Sequence, residues 1–496
     1  MLKSQGQPAL GRGTVRPGSL IPALGLFSTI MLVIGGVIGS GIFRKPGVMA
    51  SQLGSPEWIM FVWILAGVMT LFGALSNAEI ASMIPETGGQ YVYFERMYGP
   101  FVAFLYGWAV FAVIQTGSIS AVAYVFAEYS NEFLHIPELS TSVGLWHFHL
   151  PFIGDVTPLQ EFGPKSIAAG LIFLLTVVNY LGVKFGGVLQ NIFTIAKLVA
   201  MALLVAGAFL LPTGGTTANL TQASSTIHPV GFALLMAVVA ALQGAFWAYD
   251  GWNKITYIAG EVKEPQKNIP KGLVIGMLAV TGVYLIMAIA YAYVLPVDVM
   301  ARSKLVAADV AERCFRGGGR WIAAAVMVST FGTTNAVILA SARVYYSMAH
   351  RKVFPAIIGR VHPRFHTPGP SLVIQGIWSI LLLFSGTFDT LTDTLIFVSW
   401  VFYALGAAGL FVLRAREPDA PRPYRVPGYP WVPLVFIIFS CLYLVVTFHN
   451  DLAGYRLAVA AGKPALINSV FGISLVIMGV PIFWYYRYRQ GKLTSK

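Results

Sequence analysis

The stretch VIGGVIGSGIF, Val33 to Phe43, places Gly35, Gly36, Gly39 and Gly41 in an apolar run long enough to cross a membrane. Glycine costs a helix interior about 1 kcal/mol relative to alanine, so four in eleven residues need a reason. One reason is packing, because small residues let helix backbones approach closely. The other is a helix built to break, whose freed N–H and C=O groups line an aqueous cavity and bind something there. A nucleotide loop does not fit, since no strand precedes the run and no Lys-Ser/Thr follows it.

The surrounding chain fixes the solvent. Of 496 residues, 56% are hydrophobic and 11% charged, with a mean hydropathy of +0.71; soluble domains are nearer about 45–50% apolar and 25% charged. An all-α polytopic membrane protein follows. A window of about 19 residues picks out twelve transmembrane helices, at 21–43, 58–84, 101–129, 166–183, 188–211, 229–258, 272–295, 321–348, 371–387, 394–413, 430–448 and 466–486. Residues 1–20 and 487–496 read as cytoplasmic tails, because Lys and Arg are in excess on the side they share. The first hydrophobic run lacks the layout of a cleavable signal. The net charge of +13 reports this orientation; no soluble domain carries it, so no nucleic-acid partner is expected.

A second interruption is predicted in the sixth span. There QGAFWAYDGWNKITYIAGE sets Gly244 and Gly251 around Asp250, an ionisable residue deep in an apolar segment. Interrupted segments at matching positions of two halves point to a transporter site near the midplane. The spacing suits two inverted five-helix repeats, 21–211 and 229–413, with 430–486 as two peripheral helices.

These motifs carry a resemblance. Gly-Ser-Gly-Ile-Phe at 39–43, Ala78-Glu79, IPETGGQYVYFERMYG at 84–99, AFWAYDGWN at 245–253 and GEVKEPQKNIPKG at 260–272 resemble, in this order, the amino acid, polyamine and organocation superfamily. The chain is most similar to a bacterial member of its L-type amino acid transporter and exchanger branch, from about residue 22 to about residue 490. The resemblance implies the LeuT-like 5+5 inverted repeat with broken helices 1 and 6. It also implies alternating access, with spans 1, 2, 6 and 7 moving against spans 3, 4, 8 and 9.

The resemblance further implies a substrate site. The N–H groups of Ser40 and Gly41, with Gly39 beside them, would take the α-carboxylate of an L-amino acid, as suits the positive end of a half-helix. Carbonyls of Val37, Trp247 and Asp250 would take the α-ammonium. Trp247 matches the aromatic gate of the family, and an indole there would favour small substrates. Side-chain selection would fall to the walls, with Ser118 and Ser120 on span three and Trp400 and Tyr403 on span ten as candidates.

Lys197, in NIFTIAKLVAMALLV, is an ammonium in mid-span and must face a polar partner or cavity. In the L-type branch a lysine here stands where sodium-coupled relatives hold a cation. It would bind carbonyls of the broken first span and Ser329, Thr330 or Thr333, making transport independent of sodium. Asp250 and Lys254, four apart, admit three readings: a buried pair, a contact to the substrate ammonium, or a proton-coupling carboxylate. Glu79, Asn77 and Glu261 are expected at cytoplasmic-side contacts, and Gln115 and Thr116 as interhelical hydrogen-bonding groups.

The loop after span three has no cysteine, so the disulfide-linked heavy subunit of animal members is not expected. With Cys314 and Cys441 alone there is no disulfide scaffold. No GxSxG, HExxH, CxxC or Walker signature is present, so no enzyme activity, catalytic residue, cofactor or metal site is expected. The expected function is sodium-independent transport of amino acids across the plasma membrane, by exchange of small or neutral L-amino acids or by proton symport. A receptor or channel is the alternative from another class.

Overall fold

The computed structural model describes residues 24–134, 136–182, 186–212 and 215–494. Among them one small antiparallel hairpin, Phe148–Leu150 with Gly154–Val156, accompanies an otherwise helical chain. Among the described residues, eleven helical segments are long and apolar enough to cross a membrane, from Leu26–Leu53 through Asn468–Arg489. The chain is therefore a multi-pass membrane protein.

The predicted ninth span, 371–387, is instead a 15-residue apolar helix, Gly369–Leu383. Its expected last residue serves the following helix, where the Thr387 side chain caps the N–H of Thr390. The first span runs ten residues beyond its expected end at Phe43. Arg44 and Lys45 close the apolar run in sequence, yet acids from other spans partner both, so the helix continues.

Glycines set the closest helix contacts. The second span packs along the seventh and the third along the eighth, while the first span meets the seventh through its first half and the sixth through its second. A Cβ on Gly67 would lie 2.8 Å from the Thr281 side chain, and one on Gly276 would lie 2.7 Å from Val33. Small residues bring these backbones together where lipid supplies no hydrophobic drive.

Candidate functional site

Two helices break, and the breaks meet. The first span comprises Leu26–Val37 and Gly41–Leu53, separated by Ile38–Ser40. The sixth runs as Gly231–Tyr249, then Asp250 in extended backbone and Gly251 at φ +102°, before Lys254–Tyr257 resumes the helix. A Cβ on Gly251 would stand 2.4 Å from the Gly36 carbonyl oxygen, and one on Gly41 would stand 2.3 Å from Ala248 Cα. Gly39 differs, with its nearest neighbour, Thr333 Cγ2, at 3.6 Å. The glycines differ in role by position: Gly41 allows close packing, and Gly39 lies in the break.

A cavity holding about 260 Å³ of atom-free space lies between the breaks. Val37, Gly39, Ser40, Gly41, Ser118, Trp247 and Asp250 all line it, with Gly36, Val122, Lys254 and Thr333 completing the wall. The second half-helix starts at Gly41 without a side-chain cap. Of its first-turn N–H groups, that of Phe43 bonds the Ser40 carbonyl at 3.2 Å, and those of Gly41 and Ile42 stand at the positive end of the helix dipole. That end is suited to an anion.

Side chains tie the breaks together. The Tyr284 hydroxyl of the seventh span donates toward the carbonyls of Ala248 (2.9 Å) and Val37 (3.2 Å). One acceptor site of the Val37 carbonyl is thereby occupied. The Trp247 indole N–H donates to the Ser40 hydroxyl at 3.2 Å, while its ring meets Phe388 edge-on at 6.1 Å.

Lys197 is buried, and its Nζ donates to the carbonyl of Ile38 at 2.6 Å, Thr333 Oγ1 at 3.0 Å and the carbonyl of Gly35 at 3.2 Å. One ammonium satisfies three acceptors on two other spans. Of the three hydroxyls considered from the sequence, only Thr333 is reached: Thr330 binds the Val326 carbonyl within its own helix, and the Ser329 hydroxyl has no partner.

Asp250 accepts a 2.6 Å hydrogen bond from the Tyr403 hydroxyl and, among the described residues, forms no ion pair with Lys254. The helical i,i+4 geometry that would pair them is lost because the backbone between them is not helical. Two wall candidates lie elsewhere. The Ser120 hydroxyl donates to the carbonyls of Thr116 and Ser379, since two residues along a helix from Ser118 is about 200° around it. Trp400 packs against Phe246 at 3.9 Å and Tyr443 at 5.2 Å.

Polar clusters follow both breaks along their helices. Beyond the second half-helix, Arg44 pairs with Glu128 at 3.1 Å, and Lys45 with Asp389 at 2.7 Å and Thr392 at 2.9 Å. Phe388 lies beneath both cations. At the other end a buried cluster joins four side chains: Tyr106 donates to Gln90 at 2.8 Å and meets Tyr257 at 2.9 Å, and Asn253 donates to Gln90 at 3.0 Å. Farther away, Arg414 grips Glu79 through two bonds, and Arg343 pairs with Glu261 at 2.9 Å. The third span holds a π-helical turn, Val110–Ile114, that periodicity did not reveal; Thr116 bonds there to the Phe111 carbonyl.

Sequence alone missed Tyr284 and the Gln90–Tyr106–Tyr257–Asn253 cluster. Each is an ordinary helix residue whose role depends on the partner that packing brings to it. No group of three or more metal-ligating side chains occurs among the described residues.

Fold and cavity together define a multi-pass membrane protein with a small polar chamber between two interrupted helices. The chain belongs to the amino acid permease family, whose model matches residues 24–481, within the amino acid, polyamine and organocation superfamily and its L-type branch. It is 31% identical to the serine/threonine exchanger SteT of Bacillus subtilis, over 89% of this chain and 95% of that protein. It is 30% identical to the human b(0,+)-type amino acid transporter 1, over 85% and 82% of the two chains. Against the human large neutral amino acids transporter small subunit 2 the identity is 29%, over 95% and 81%. Amino acid transport is the function these relationships support.

Proposed function

We propose that this protein is a sodium-independent exchanger of small neutral L-amino acids in the plasma membrane, with both termini cytoplasmic. The observation that carries the reading is Lys197, whose ammonium binds Ile38, Gly35 and Thr333 at 2.6–3.2 Å. A fixed positive charge that already satisfies the acceptors of the broken first span leaves them no need of a metal cation. The chamber supports the rest: N–H groups at Gly39–Gly41 for the carboxylate, the Val37 carbonyl and the Asp250 region for the ammonium, and Trp247 closing over a small side chain. The serine/threonine exchange named for the Bacillus relative fits such a chamber.

Alternating access follows from two inverted repeats of five spans, a symmetry that would exchange spans one and six, two and seven, and three and eight. Packing of span two on seven and of three on eight supports it. Proton symport is the second reading, favoured by Asp250, an acid on the cavity wall held by the Tyr403 hydroxyl.

Counterflow into proteoliposomes preloaded with serine, alanine, leucine or arginine tests both. Saturable uptake driven by internal serine, unchanged when choline replaces sodium, is expected. Uptake that needs sodium overturns the Lys197 reading, and uptake driven by a pH gradient without internal substrate favours symport.

A further inference from the structure

A second chamber lies outside the transport site. It holds about 890 Å³ of atom-free space and is walled by Trp108, Phe111, Phe354, Ile374, Ile482 and Tyr485 among others, nearly all apolar surface. Two helix irregularities meet at it. The third span carries the π turn Val110–Ile114, which supplies Phe111; its loosened carbonyls are taken by side chains, Trp378 bonding Ala112 at 2.9 Å and Tyr345 bonding Val110 at 3.3 Å. The last span is interrupted at Met478, between Asn468–Ile477 and Gly479–Thr494, and Pro481 just beyond has no N–H to give the preceding turn.

The walls are aromatic and close-set, with Trp108 at 5.6 Å from Phe111 and Phe111 at 5.7 Å from Phe354. The mouth is different. Tyr485 is half exposed, and the exposed Arg489 guanidinium sits 5.5 Å above its ring. An apolar slot with an aromatic and cationic rim is the pattern of a lipid chain below and an anionic headgroup above. In a chain that crosses a bilayer, acyl chains are what surrounds such a slot.

We propose that this crevice binds an anionic glycerophospholipid, one acyl chain lying against Phe111 and Ile374 and the phosphate meeting Arg489. Through Phe111 the lipid bears on the π turn of the helix that carries Ser118 into the transport cavity seven residues later. Occupancy would therefore alter the transport rate as well as lipid retention.

The full-length protein is reconstituted in nanodiscs of equal phosphatidylglycerol and phosphatidylcholine, extracted, and its retained lipid read by native mass spectrometry. Retention of phosphatidylglycerol several-fold above phosphatidylcholine is expected. Ile374→Trp should fill the crevice and abolish retention, whereas Arg489→Gln should keep a lipid but lose the preference. A phosphatidylglycerol bearing a diazirine in one acyl chain tests the wild type itself, so a misfolded variant does not leave the proposal open. Crosslinks on the Phe354–Ile374 and Pro481–Tyr486 peptides support it. Equal retention of the two lipids, crosslinks confined to other peptides, or a crevice covered by a second copy of the chain overturns it.

Discussion

The indole N–H of Trp247 meets the hydroxyl of Ser40 across 3.2 Å, joining the last turn before one break to the cap of the other. The indole is thus latched to a residue that, like Trp247 itself, lines the chamber. Trp247→Phe keeps the ring and removes the latch, a neutral hydrogen bond worth about 0.5–1.5 kcal/mol. A few-fold rise in serine KM and new uptake of leucine are expected in proteoliposomes. Ser40→Ala should produce the same KM change, and combining the two should add little, because both remove one bond.

Lys197→Met leaves the carbonyls of Ile38 and Gly35 and the Thr333 hydroxyl without their shared donor. Bonds to a charged donor are worth about 1.5–3 kcal/mol each, so exchange should fall at least about tenfold even in protein that stays monodisperse. Added sodium that restores uptake would show the lysine to be replaceable by a mobile cation.

Glycines 39 and 41 should part company. Gly41→Ala drives a methyl group into the Ala248 backbone at 2.3 Å and should lower the melting temperature or prevent folding. Gly39→Ala has space for its methyl group and should fold. Because Gly39 lines the cavity, that variant should still lose substrate binding, measured as ligand-induced thermal stabilisation.

Among the described residues, the Tyr403 hydroxyl is the one hydrogen-bond donor to Asp250. If the carboxylate couples protons, Asp250→Asn will exchange serine normally while losing uptake driven by a pH gradient. Under the exchange reading proposed above, wild type shows no such uptake and Asp250→Asn changes only substrate affinity.

An acid outside the spans gives a stability test. Hydrogen bonds from the Ser224 side chain, the Ser225 N–H at 3.1 Å and the Ser225 hydroxyl at 3.0 Å hold the Asp298 carboxyl below its usual range. A depressed folded pKa means that its stabilisation is fully present above the unfolded value, about 3.9, and is lost as pH falls through the lower folded value. Wild type should therefore melt above Asp298→Asn at neutral pH, with the gap closing on acidification below about pH 4.

What was legible in the sequence was whatever one segment expresses by itself. Glycine clusters mark Ile38–Ser40 and Gly251 as places where a helix gives way, and a lone ammonium among apolar residues marks Lys197 as a group needing acceptors. Span ends were less legible where partners decide them: Arg44 and Lys45 look like a terminus until Glu128 and Asp389 are seen across the gap. The Tyr284 clasp and the π turn at Val110–Ile114 carry no local signature, since a tyrosine in an apolar helix and one extra residue per turn leave hydrophobic periodicity nearly unchanged. Ser120 and Trp400 were misplaced for a related reason, because polarity and size do not say which way a helix faces.

The contact between Gly36 and Gly251 has a practical consequence. It is made by main chain alone, and Gly251 lies in left-handed backbone where a Cβ would stand 2.4 Å from the Gly36 carbonyl oxygen. Alanine scanning and cysteine labelling would both report damage at Gly251, whatever the contact does. Replacing the peptide link after Gly36 by an ester through semisynthesis would weaken its carbonyl without adding an atom, and so separate the chemistry of that junction from its shape.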